Sequence, residues 1–153
     1  MCRICWILVL LLVLLAGGVI YRFVIQGSVE SAGDGRTAIL LDPAERDLVL
    51  AEMRVFLESV QQVTAAIAAN DPARAAAPAR RAGRAAQQAV PGALMGKLPL
   101  PFKQLGYDTH SRFDELALDA EQLGDREHTL GQLEILLQNC TGCHATYRIA
   151  PPR

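Results

Sequence analysis

The stretch Gln138-Asn139-Cys140-Thr141-Gly142-Cys143-His144-Ala145-Thr146-Tyr147-Arg148 contains C-x-x-C-H about ten residues from the C-terminal end of the sequence. Two thiols three positions apart on a helical turn can each add to one vinyl group of the same porphyrin, giving two thioether bonds. The next residue, His144, then offers a neutral imidazole nitrogen to the iron. C-x-x-C alone would leave thioredoxin-like redox chemistry or half a zinc site open, and the adjacent histidine points instead to covalent haem c. A zinc site would need two further ligands. Outside the motif the chain offers only Cys2, Cys5, His110 and His128, with both of those cysteines inside an apolar run.

The periodicity around the motif predicts a helix from about Arg126 to Tyr147. Leu130, Leu133, Leu137, Cys140, His144 and Tyr147 share one of its faces. Gly124-Asp125 supplies a stop and a new start before it, and Pro151-Pro152 closes it. Further upstream, Asp108 or Thr109 caps a predicted helix from about His110 to Leu123, with Phe113, Leu116, Ala117, Ala120 and Leu123 on its apolar stripe. Asp42-Pro43, with Glu45 in the first turn, starts a long amphipathic helix reaching Asn70. Its stripe includes Val49, Glu52, Met53, Phe56, Leu57, Val60 and Val63. Asp71-Pro72 repeats the start signal for an alanine-rich helix to about Val90, in which Pro78 predicts a kink or a later beginning. Pro91-Gly92, Pro99, Pro101 and Gly106 predict an irregular connection as far as Tyr107. Arg74, Arg80, Arg81 and Arg84 make the second helix locally basic, which reads first as a solvated face.

At the other end, Ile4 to Tyr21 carries no charge and lies between Arg3 and Arg22. About eighteen apolar residues is the lower limit for crossing a bilayer, and Phe23-Val24-Ile25 extends the run if Arg22 snorkels. The A-x-A positions of a signal-peptidase site fit poorly, since Leu14 precedes Ala16 by two, so an uncleaved anchor is favoured over a cleaved signal. Cys2 and Cys5 read as small apolar residues of this segment. Without Arg3 and Arg22, 16 acidic residues face 13 basic ones, a net charge of −3 that argues against a nucleic-acid partner. Aromatic residues make up only 5% of the chain, so core volume must come from aliphatic side chains and from the porphyrin itself.

The sequence therefore divides into an N-terminal anchor or signal segment (1–27), a polar linker (28–41) and a haem-binding domain (42–153). The expected fold class is all-α: a four-helix bundle with covalently bound haem c on its last helix, preceded by the N-terminal transmembrane or signal helix.

Four helices with C-x-x-C-H on the final one resemble the class II c-type cytochromes, namely cytochrome c prime and its low-spin, methionine-ligated relatives. The resemblance covers about residues 40 to 150. It is strongest over Cys140 to Arg148, which matches the family pattern C-x-x-C-H-x-x-[YF]-R. It implies that Cys140 and Cys143 hold one haem c, that His144 is the axial ligand, and that Arg148 sits near the proximal face or the propionates. It also implies that the first helix meets the opposite haem face, where Met53, the only methionine on that helix, is the expected sixth ligand. Leu57 is the alternative over the iron if the register shifts, and His110 is a second candidate ligand. Phe102, Leu105 and Phe113 are expected to close the haem edge from water.

The function expected from this reading is a monohaem cytochrome carrying electrons on the extracytoplasmic side of a bacterial inner membrane, with membrane-associated redox partner proteins. If the N-terminal segment is cleaved, it becomes a soluble periplasmic protein. The alternative is a five-coordinate nitric oxide or carbon monoxide binding protein, with Leu57 or Val60 shielding the open face. An enzymatic role is not expected, because a distal acid–base pair would have only His110 to draw on. The resemblance also implies an antiparallel homodimer through the first two helices.

Overall fold

A computed structural model of the protein describes residues 3–152; Cys2 lies outside them. The chain is mostly helical. An apolar helix, α1 (Arg3–Ile20), continues as a π-helical turn, Tyr21–Gln26. None of its residues is buried, and by length and composition Arg3–Gln26 is long and apolar enough to cross a membrane. Cys5 is exposed on it as a free thiol.

The segment expected to be a polar linker is structured instead. Strands β1 (Val29–Ser31) and β2 (Thr37–Leu40) form an antiparallel hairpin, turned through Gly35 at φ 83°. A third strand, β3 (Tyr147–Ala150), runs parallel to β2, placing Arg148 opposite Ala38. The chain therefore leaves the helical state three residues after the C-x-x-C-H motif. Three- and four-residue strands are too short to show a period-two signal in sequence, and β2 finds its partner more than a hundred residues away.

The long helix α2 (Pro43–Ala68) begins where Asp42-Pro43 predicts. The Asp42 amide donates to the Glu45 carboxylate at 2.9 Å, and the Lys97 ammonium bridges both acids at 2.7 Å. Asn70 ends the helix region with φ 54°, a left-handed position that asparagine tolerates.

The second expected helix is broken into three. A 3-10 turn (Pro72–Ala75), the short helix α3 (Ala76–Arg81) and another 3-10 turn (Arg84–Ala89) replace it. The break has a cause at Gly83, which is buried against the carboxylate of Asp114; that carboxylate accepts from the Arg84 amide at 3.1 Å and from its guanidinium at 3.2 Å.

The connection expected to be irregular contains α4 (Gly92–Lys97), and α5 (Leu100–Gln122) starts ten residues earlier than predicted. Pro101 lies in its first turn, where a missing N–H costs no hydrogen bond. Gly124 (φ 58°) and Asp125, whose carboxylate accepts from the His128 amide at 2.9 Å, then separate α5 from α6 (Arg126–Thr146) as the sequence predicts.

Two apolar clusters hold the domain together. The larger is built from α2, α3, α5 and α6 around Phe56, Val63, Phe113, Leu116, Leu133 and Leu136. Small alanines (Ala75, Ala79, Ala82) let the broken second segment approach closely. The smaller cluster joins the sheet to α4 and the start of α5 through Ile39, Leu41, Val49, Leu94 and Leu98. The end of α1 docks on the same region. Lys103 Nζ donates to the carbonyls of Phe23 (3.2 Å) and Val24 (3.1 Å), and the Ser28 amide donates to the Lys97 carbonyl at 2.6 Å.

Candidate functional site

Cys140 and Cys143 lie on the last turns of α6, three residues apart and therefore on neighbouring positions of one helix face. Both are free and half-buried. Burial pushes both thiols above the usual cysteine range, and the neighbouring Cys140 adds to the effect at Cys143. They are held as thiols rather than as the thiolates of an activated redox pair. His144 is exposed, and its backbone carbonyl accepts from Arg36 at 3.4 Å. His144 thus stands at the surface next to two half-buried thiols.

Met53 is half-buried on α2, and both it and Cys140 pack on the edge of the larger apolar cluster. The antiparallel register of α2 and α6 brings them level. Arg126 Nε donates to the Ile67 carbonyl at 3.1 Å, and at the other end the Leu41 amide donates to the Ala150 carbonyl at 3.0 Å. Met53 is fourteen residues before Ile67 and Cys140 fourteen after Arg126. At about 1.5 Å per residue both stand roughly 21 Å from that contact.

Leu57, one turn along α2, is 70% exposed, and Leu137, one turn before Cys140, is 36% exposed. A flat apolar group attached at Cys140 and Cys143 and lying along the α2–α6 seam would cover these side chains. The donor set suits haem in the same way: two thiols for thioethers, an exposed imidazole, and a thioether sulfur level with them on the facing helix. Among the described residues no three His, Cys, Asp or Glu side chains converge as a metal site would require, so the zinc alternative finds no further ligands here.

Of the other residues singled out in the sequence, Arg148 and Phe113 are placed differently from expectation. Arg148 does not continue the helix one turn past His144. It lies on β3, where its guanidinium pairs with Asp34 at 3.5 Å. Asp34 is also bound by Arg36 at 2.7 Å, which holds its carboxyl below the usual range. Phe113 is fully buried and stacks on Phe56 with ring centroids 5.5 Å apart, so it is a core residue here rather than an edge residue. Phe102 meets Tyr147 edge-on at 5.3 Å, next to the motif.

His110 is neither a cap nor a surface residue. It is 2% exposed, with Nδ1 2.7 Å from the Ala82 carbonyl, Nε2 3.2 Å from Glu52 Oε1, and its ring 4.9 Å from that of Phe56. Burial opposes protonation, but the Glu52 carboxylate and the Ala82 carbonyl outweigh it and raise the imidazole above its ordinary value. Both ring nitrogens are engaged, which leaves neither directed to an iron.

No family model, characterised protein or solved structure matches this chain. What the site can do therefore follows from its own residues. The pair of buried His110 with half-buried Glu52 is the feature the sequence reading missed. Its signal was there, in an acid on the apolar stripe of α2 and a histidine three residues before Phe113 on that of α5.

Proposed function

We propose that the protein is a membrane-anchored, monohaem c-type cytochrome of the class II type that carries electrons on the extracytoplasmic side of a bacterial membrane. The observation that carries this reading is C-x-x-C-H on the final helix with Met53 level with it on α2. Cys140 and Cys143 would hold one haem c through thioethers, His144 would be the axial ligand, and Met53 the sixth. When bound, the haem supplies one reversible electron, and thioether ligation favours the ferrous form and a raised potential.

The rest of the work falls to the protein's own residues. The half-buried thiols fix the orientation of the group. Leu57 and Leu137, exposed beside the motif, would shield the bound group from water. Ser28 and Lys103 tie the domain to the end of α1, which would hold it at the membrane surface within reach of membrane-bound redox partners. In this arrangement the four helices around the larger cluster are a haem-binding bundle.

Expression with a periplasmic c-type maturation system, followed by denaturing electrophoresis and optical and magnetic spectroscopy, tests the proposal. The expected result is haem that stays with the denatured chain and is lost in Cys140→Ser/Cys143→Ser. The iron should be low-spin in the wild type and high-spin in Met53→Ala. Absence of covalent haem would refute the cytochrome. A high-spin wild type whose ferrous form binds carbon monoxide would assign instead the gas-binding alternative, with Leu57 or Val60 over the open face.

A further inference from the structure

A cavity of about 620 Å³ opens between the first turns of α2, the segment from Ala86 to Leu98 and the first half of α5. Its lining includes none of Met53, Cys140, Cys143 or His144. The volume is in the range of small-molecule sites.

Most of the wall is apolar, from Leu48, Val49, Leu94, Met95 and Leu98, with the rings of Phe102 and Tyr107 alongside. Glu52 and His110 also line it, and they are the pair described above. His110 meets Oε1 of Glu52, which leaves the second carboxylate oxygen for a ligand hydroxyl.

Position says where such a ligand would come from. Lys103 lines the cavity and is the residue that binds the carbonyls of Phe23 and Val24 at the end of α1. Gly96, next to the lining residue Met95, lies 3.5 Å from the Phe23 ring when measured from the Cβ it lacks. The cavity is therefore built against the end of the one helix apolar and long enough to span a bilayer among the described residues.

Chemistry narrows the class. A fatty-acid carboxylate or lipid phosphate would meet the Glu52 carboxylate, while the Lys103 ammonium is occupied by two backbone carbonyls. A neutral, flat head finds ring faces, side-chain amides (Gln87, Gln104) that can donate to its carbonyl oxygens, and, where it bears a hydroxyl, the Glu52 carboxylate to accept from it. We infer that this cavity binds the head group of a membrane quinol or quinone, drawn in beside the end of α1.

The site is distinct from the proposed haem residues, and it is tested without relying on them. The full-length chain, purified from membranes and reconstituted in phosphatidylcholine nanodiscs, is titrated with a decyl-substituted benzoquinol by calorimetry, while the Met95 methyl resonance is followed by NMR. Saturable one-to-one binding that shifts the Met95 signal is expected. Glu52→Gln, which removes the charged acceptor, should weaken it about tenfold, as loss of one hydrogen bond to a charged group predicts, and Met95→Trp, which fills the cavity from its rim, should weaken it by excluding the ring. Glu115→Gln, an exposed position outside the cavity lining, should bind the quinol as the wild type does, and Cys140→Ser/Cys143→Ser is titrated beside it to show whether a covalent porphyrin occupies the cavity.

No saturable binding, or binding that neither cavity variant weakens, overturns the assignment. Displacement by decanoate as effective as by the quinol would make the cavity a general lipid site and also overturns it. Binding confined to the double-serine variant would give the cavity to the porphyrin, against the inference but in favour of the haem proposal.

Discussion

His110 has given up its water, at 2% exposure, yet Glu52 and the Ala82 carbonyl favour its protonated ring. Its folded pKa lies above the unfolded value near 6.5. The stability this pair contributes is therefore complete below about pH 6.5 and is lost as the pH rises through the folded value. Urea denaturation of the wild type should accordingly show a midpoint that falls as the pH rises from about 6 to 8. His110→Gln, which keeps hydrogen-bonding capacity but does not titrate, should lose most of that slope. An unchanged slope in the variant would move the pH dependence to other groups. The sequence could not fix the state of this histidine. Its partner Glu52 lies on a different helix 58 positions away, and the Ala82 carbonyl is free to accept only because the second helical segment breaks at Gly83.

Elements were legible where one local signal decides them. Asp42-Pro43 and Gly124-Asp125 are such signals, and α2 and α6 begin where they predict. Reading failed where the same residue type has two meanings. Pro99 and Pro101 read as breakers, but a proline in the first turn begins a helix as readily as it ends one, so α5 gained ten residues. The alanine-rich segment read as one helix because propensity favours it. Close packing around Gly83 and Asp114 overrode that preference.

Gly27 is the joint between α1 and the domain. It adopts φ 68°, and a Cβ there would run into the backbone of Lys97, Leu98 and Pro99. Gly27→Ala should undock the end of α1 while leaving the helical domain folded, at a cost of about 1–3 kcal/mol to the docked state. Amide exchange reads this directly, since the Ser28 amide, hydrogen-bonded to the Lys97 carbonyl, should lose its protection while the amides of α5 keep theirs. Retained protection at Ser28 would show that the joint tolerates a side chain.

Across the whole molecule, two clusters divide the packing, and the smaller one also takes in Tyr147 and Ile149 just past the motif. The larger one reaches Met53 and Cys140 at its edge, and the smaller one ties the sheet, α4 and the start of α5 together under the α1 junction. The candidate site was legible as residues, because C-x-x-C-H is contiguous and Met53 falls on an apolar stripe. It was not legible as surroundings: Arg148, expected near the haem's proximal face or propionates, lies on β3 with Asp34, and Phe113 was expected at a haem edge and lies in the core against Phe56.

This separation predicts what the unloaded chain does. α6 packs principally on α5, and α2 on the second helical segment, so neither helix relies on the α2–α6 seam alone. At that seam Leu57 is 70% exposed and Leu137 36%, apolar surface that a bound porphyrin would cover. Cys140→Ser/Cys143→Ser should therefore keep its far-ultraviolet helical signal but exchange its amides faster than the haem-loaded wild type from Leu137 to Thr146 and along α2 from Met53 to Val60. Exchange in the core of α5, around Phe113 and Leu116, should differ much less. Collapse of the whole helical signal in the variant would mean that the haem organises the entire core. Equal exchange at the seam in loaded and unloaded protein would mean that the haem does not sit between α2 and α6.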